Sequence, residues 1–116
     1  MKCKATVLAF VLTASAQGVA AQQSDGGLDA RQQHGRQLLA QSCGVCHLQV
    51  ALGAKTYGPV LNKASTSGND EVMRVFILNG SDRMPAFKYY LKPAEVDAII
   101  AYVRTVPVPP AAQATR

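Results

Sequence analysis

Val96, Ile99, Ile100 and Val103 recur at spacings of three and four residues and form the one clean apolar helical stripe in the chain. They predict a last helix that starts at Pro93, a favoured first-turn residue, with Glu95 nearby. Arg104 stands at its negative end, and Pro107, Pro109 and Pro110 stop it. A second helix is predicted from Asn69, which can cap it, with Asp70 and Glu71 at the positive end of the dipole. Val72, Met73, Val75, Phe76, Ile77 and Leu78 give it a broad apolar surface, and Asn79-Gly80 ends it. A first helix begins near Asp29 and runs to about Ser42; its best apolar positions are Leu38 and Leu39, with Gly35 one turn earlier. Residues 48–69 hold Gly53, Gly58, Pro59, Asn62, Ser65, Ser67 and Gly68, the composition of a loop with one short turn, and residues 81–91 form a second loop centred on Met84-Pro85. With no internal repeat and no evident strand, the expected class is all-α: three main helices and long loops.

The N-terminus stands apart from this pattern. Lys2 and Lys4 precede an apolar run, Ala5 to Thr13, and small residues follow up to Val19-Ala20-Ala21. That layout is a secretory signal peptide over 1–21, too short to span a bilayer as a helix, so export to the periplasm without stable membrane insertion is expected. Cys3 leaves with the signal. Residues 22–29 read as a flexible lead-in and 107–116 as a Pro/Ala-rich tail, which leaves a single domain at 30–106. A domain that small is marginal on its own core, and it has no tryptophan and only three phenylalanines. The deficit suits a core built around something other than protein.

The formal charge of +5 overstates the basic character, because removing Lys2 and Lys4 leaves ten basic residues against seven acidic. The basic residues are scattered and no run tracks a phosphate backbone, so nucleic acid is not an expected partner.

The chemistry is concentrated in Cys43-Gly44-Val45-Cys46-His47. Cys-x-x-Cys-His is the attachment pattern for c-type haem. Two thiols three residues apart project from one turn of chain and can both reach the vinyl groups at a porphyrin edge, and the next residue can turn under the ring to bind iron axially. Gly44 and Val45 need only be compact. Other readings of the motif fare worse. A lone Cys-x-x-Cys disulfide staples little chain. A thioredoxin-like pair needs a βαβ setting. A zinc site needs four converging ligands, and adjacent Cys46 and His47 do not easily turn to one metal even with His34 added.

An electron-carrying haem takes a second axial ligand, and Met84 is the expected one. It lies 37 residues after His47 in the loop Gly80 to Phe87, away from any helical stripe, with Pro85 stiffening the chain beside it. Met73 is the rival, but it sits among apolar neighbours in the second helix, where core packing explains it. His34, one residue before Gly35, reads as a surface or half-buried histidine.

With these marks the chain resembles the class I cytochromes c of the compact bacterial kind, over about residues 30–106. Gly35 stands where that family keeps a small residue so that first and last helices cross closely. Leu39 stands where it often has an aromatic, which implies a looser crossing, and Ile100-Ala101-Tyr102 resembles its last-helix motif. Tyr57-Gly58-Pro59-Val60-Leu61 resembles the loop on the histidine side, which implies that the Pro59 carbonyl receives the ring N–H of His47. Asn79-Gly80 to Met84-Pro85-Ala86-Phe87 resembles the distal methionine loop. Gln49 sits near where many relatives have glycine, and no tryptophan is present to hold a propionate; Asn62, Lys63, Tyr57 and Arg83 are candidates for that task. The short interval from Leu61 to Asn69 implies an exposed propionate edge.

The resemblance implies a cytochrome c-like fold wrapped around one covalently bound haem c, with Cys43, Cys46, His47, Met84 and Pro59 as its site and His47 and Met84 as iron ligands. Two propionates would bring the net charge near +1 reduced and +2 oxidised. The implied function is a periplasmic, monomeric single-electron carrier, not an enzyme. It would exchange electrons with a dehydrogenase or oxidase across a haem edge that Lys55, Lys88 and Lys92 could ring. Two alternatives stay open: a cytochrome subunit of a larger dehydrogenase or oxidase complex, and a haem peroxidase or gas-binding protein with an open iron position.

Overall fold

In a computed structural model of the chain, residues 26–49, 51 and 54–110 are described. The signal segment, residues 22–25 of the lead-in and residues 111–116 of the tail lie outside the described residues.

Helix α1 spans Ala30–Ser42. Asp29 caps it: its carboxylate accepts from the Gln32 backbone N–H at 2.8 Å, and Gln32 Oε1 accepts in return from Asp29 N at 3.0 Å. At its other end the Cys43 N–H reaches Leu39 O, and the chain passes directly into a single further turn, α2, Gly44–His47. Helix α3 spans Asp70–Asn79, with Asn69 Oδ1 accepting from Val72 N at 3.0 Å; Gly80, at φ +72°, ends it. Helix α4 spans Pro93–Val103 and opens with Glu95 Oε2 accepting from Lys92 N at 2.6 Å. The three main helices start and stop where the caps in the sequence place them. The described residues contain no strand, only an isolated bridge between Ser81 and Met84.

α4 is the centre of the molecule: Val96, Ala98, Ile99, Ile100 and Val103 are buried along it. α1 crosses it at Gly35, where a Cβ would fall 1.9 Å from the Ala98 carbonyl oxygen. Leu39, one turn on, is buried in the core with the α4 stripe, and Tyr102 packs half-buried against that core. The crossing is therefore tight where the missing aromatic suggested a looser one. Backbone-to-backbone approach sets the spacing, and leucine fills what remains.

α3 buries only Met73 and Ile77 of its broad apolar surface; Val72 and Val75 are exposed. Its polar side is tied to α4 by an ion pair between Arg74 and Asp97, which holds the guanidinium pKa above its ordinary value. A second tie comes from Arg104, just past α4. Its Nε donates to Asp70 Oδ1 at 2.7 Å and its Nη1 to the carbonyls of Lys63 and Ser65, each at 2.9 Å. Arg104 thus does more than sit at the end of a helix dipole. It fastens the loop before α3, where the single short turn, Ser65–Gly68, holds Thr66, Ser67 and Gly68 at φ of +55°, +54° and +75°.

Candidate functional site

Cys43 closes α1 and Cys46 lies in α2, so the two thiols belong to one continuous turn of backbone, with the N–H groups of Cys46 and His47 both directed to Cys43 O. Cys43 is buried and Cys46 half-buried, and no disulfide joins them. Burial, and then the neighbouring Cys46, push the Cys43 thiol above its ordinary pKa. Val45 between them is almost fully exposed. Among the described residues no three His, Cys, Asp or Glu side chains converge to hold a metal ion, so the set a zinc site needs is not assembled there.

His47 is the one buried polar side chain among the described residues. Its Nδ1 lies 2.7 Å from the Pro59 carbonyl oxygen. A carbonyl only accepts, so Nδ1 carries a hydrogen there, which leaves Nε2 as the ring nitrogen that can turn to a metal. The loop that brings Pro59 there is itself pinned to α2, since the Gly58 N–H donates to Cys46 O at 2.8 Å. Gly58 carries a further constraint: a Cβ on it would lie 2.7 Å from His47 Cε1 and 3.0 Å from Nδ1. Gly58→Ala is therefore expected to displace the ring or the loop and to lower the unfolding free energy by about 1–3 kcal/mol. Thermal unfolding checks this, and a variant as stable as the parent would remove the contact.

Met84 is placed by backbone rather than by a helix face. Ser81 N donates to Met84 O at 2.9 Å and Met84 N to Ser81 O at 3.2 Å, while Phe87 N and Lys88 N return to Ile77 O and Leu78 O of α3. Gly80 permits the tight return, because a Cβ there would lie 2.3 Å from Met84 O. The half-buried Met84 side chain packs against the core.

These parts surround one cavity of about 420 Å³, in the range of cofactor pockets and lined mainly by apolar side chains. Cys43, Cys46, His47, Pro59 and Met84 all line it. So does Met73, buried in α3, which places a second thioether on the wall. His34 is exposed on α1 and does not line it. Of the four propionate candidates, Tyr57 and Arg83 are on the wall, with the Arg83 guanidinium 5.8 Å from the Tyr57 ring centre. Asn62 and Lys63 are not, and Asn62 uses its amide on Val60 O and Ala64 N. Phe76, Ser65 and Thr66 also line the cavity, although the sequence pattern gives none of them a place in the site. Phe76 was legible only as part of an apolar helix surface; the two hydroxyls had no signal beyond loop composition.

A family model described as cytochrome c oxidase, cbb3-type, subunit III matches residues 30–103. The chain belongs to this family. It is thus a c-type cytochrome domain with the all-α cytochrome c-like fold, and its class is that of electron-transfer haem proteins whose cofactor is covalently bound haem c. Comparison with curated proteins and with solved structures returned no match. The cavity of this cytochrome domain suits that cofactor in its donor set: two thiols on one turn that no disulfide joins, an imidazole whose Nδ1 is bonded to the Pro59 carbonyl, and thioether sulfur on an otherwise apolar wall.

Proposed function

We propose that the protein is an exported single-electron carrier in which one haem is joined to Cys43 and Cys46 and its iron is held by His47 and Met84. The observation that carries this reading is the convergence of both thiols, the His47 ring and Met84 on one apolar cavity. Haem bound there supplies a one-electron ferric/ferrous couple. The protein's part is to hold and tune. The Pro59 carbonyl fixes the plane of the His47 ring and turns its Nε2 toward the cofactor. The Met84 thioether, a soft ligand, favours the ferrous state and raises the potential relative to a bis-histidine site. The apolar wall acts in the same direction, because the oxidised site carries one more positive charge. If His47 and Met84 both hold the iron, no position would be left open for bond chemistry, which is why a carrier is favoured over a peroxidase or gas-binding protein.

The segment 1–21 supports the export part of this reading, with the periplasm as the destination; a monomer that meets its redox partners briefly completes the proposal. Among the described residues no helix is long and apolar enough to cross a membrane. A second reading, service as a subunit of a larger oxidase or dehydrogenase complex, is favoured by the family's description. Copurification of other subunits from the native membrane or periplasm distinguishes the two.

The direct test is covalent haem. Expressed with haem-attachment machinery, the parent chain is expected to retain haem through denaturing electrophoresis. Cys43→Ala and Cys46→Ala are each expected to weaken or abolish that retention, and undiminished covalent haem in both would sink the attachment proposal.

A further inference from the structure

Where the chain meets the carboxylates of its cofactor can be narrowed beyond the four residues that sequence suggests. The polar positions on the cavity wall differ in whether they have a donor to spare. Arg83 and Tyr57 face each other in a contact that leaves the guanidinium N–H groups and the phenol O–H unspent, so both stay candidates for the same task. The Thr66 hydroxyl has its single hydrogen within reach of two carbonyls, Ser65 O at 2.6 Å and Asn69 O at 2.8 Å, and receives Arg104 Nη2 at 3.4 Å. Ser65 is different from Thr66. Its Oγ accepts the Asn62 N–H at 3.0 Å, its own hydrogen has no acceptor among the described residues, and the residue lines the cavity. Directly behind it the Arg104 guanidinium donates to Ser65 O. A hydroxyl with a free donor, on a turn backed by a cation, is suited to an anion.

Two other serines line the cavity, but at other places. Ser42 adjoins Cys43, the end at which the porphyrin vinyl groups would be captured, whereas the propionates leave the macrocycle from the other edge. Ser81 follows the C-terminal end of α3, and Ser65 precedes its N-terminal end, a ten-residue helix away. The turn is also built at a cost. Thr66 and Ser67 are non-glycine residues in the left-handed region, a strained conformation that persists only where the surroundings hold it. Arg104 and Asn62 hold it.

We propose that Ser65 is a propionate-binding residue: its hydroxyl donates to a porphyrin carboxylate, and Arg104 is the positioning residue that holds the turn. This rests on the proposal that the cavity takes haem. The test is resonance Raman spectroscopy of the ferrous holoprotein, read at the propionate bending band, which responds to hydrogen bonding at the carboxylate. Ser65→Ala is expected to shift that band, Ser65→Thr to keep it in place, and Lys63→Met, off the cavity wall, to leave it unchanged. Ser65 also supports its own loop, so the threonine variant guards against simple unfolding: it retains the hydroxyl, and a band displaced as far in Ser65→Thr as in Ser65→Ala overturns the assignment. So does an unmoved band in Ser65→Ala, or a shift only in Lys63→Met. A parent protein that carries no haem fails earlier, at the covalent-haem test, and is thereby told apart from failure of the Ser65 proposal.

Discussion

Met84→Ala is expected to leave haem attached through Cys43 and Cys46, to lower the reduction potential and to open the iron to small ligands. The thioether is the group proposed to favour ferrous iron, so its loss removes that preference. Each tenfold loss in the ferrous-over-ferric preference is a fall of about 59 mV for a one-electron couple, and a drop of at least about that size is expected. The loop should survive the change. Its return is made by the backbone bonds between Ser81 and Met84 and by Gly80, none of which needs the methionine side chain. The ferric spectrum gives the second readout: the far-red sulfur-to-iron band disappears and a high-spin or exogenously ligated form takes its place. Met73 provides the control, since it too lines the cavity but is packed into the core from α3. Met73→Leu, a near volume-conserving change costing under about 1.5 kcal/mol, should leave band and potential in place. The opposite outcome, a band lost with Met73 and kept without Met84, would transfer the distal position to α3.

Gly35→Ala is expected to destabilise strongly at a position where the same change in an ordinary helix would help. In an exposed helix interior alanine is better than glycine by roughly 0.5–1 kcal/mol. Here the added Cβ would lie 1.9 Å from Ala98 O, 2.4 Å from Ala98 C and 3.0 Å from Ile99 N. All three are backbone atoms of α4, which cannot rotate away as a side chain could. The helices must separate, and the packing of Leu39 against the α4 stripe loosens with them. Overpacking costs about 1–3 kcal/mol, occasionally more, and a rigid backbone obstacle places this case near the top of that range. For a domain of this size about 3 kcal/mol corresponds to a fall of roughly 12–24 °C in Tm. Gly35→Leu should be no better. Ala98→Gly should not rescue either variant, because the obstacle is the carbonyl and not the Ala98 methyl. A Gly35→Ala protein that melts with the parent, or is rescued by Ala98→Gly, would contradict the close crossing.

Legibility followed the range of the interactions. Asp29, Asn69, Pro93 and Gly80 act on backbone within three or four residues of themselves, so helix boundaries could be read directly. The capping box closed by Gln32 is equally local. The role of Pro59 came through resemblance alone, because nothing in its own neighbourhood reports that His47, 12 residues away, lies beneath its carbonyl. Gly58 had the same difficulty: its need to be glycine comes from an imidazole contributed by another segment. Arg104 looked like a helix-dipole residue, yet its partners are 34 to 41 residues distant.

By itself, then, the sequence determined the three main helices, their ends, the Cys-x-x-Cys-His turn and the presence of a methionine on a glycine-proline loop, all of them matters of short spacing and local caps. Tertiary structure decided that Gly35 and Ala98 touch, that Met73 as well as Met84 faces the cavity, and that of all the polar loop residues only some reach its wall. Those outcomes depend on how α1, α3 and α4 cross. The crossing is set by summed side-chain volumes and backbone contacts between residues far apart in the chain, which no local pattern encodes.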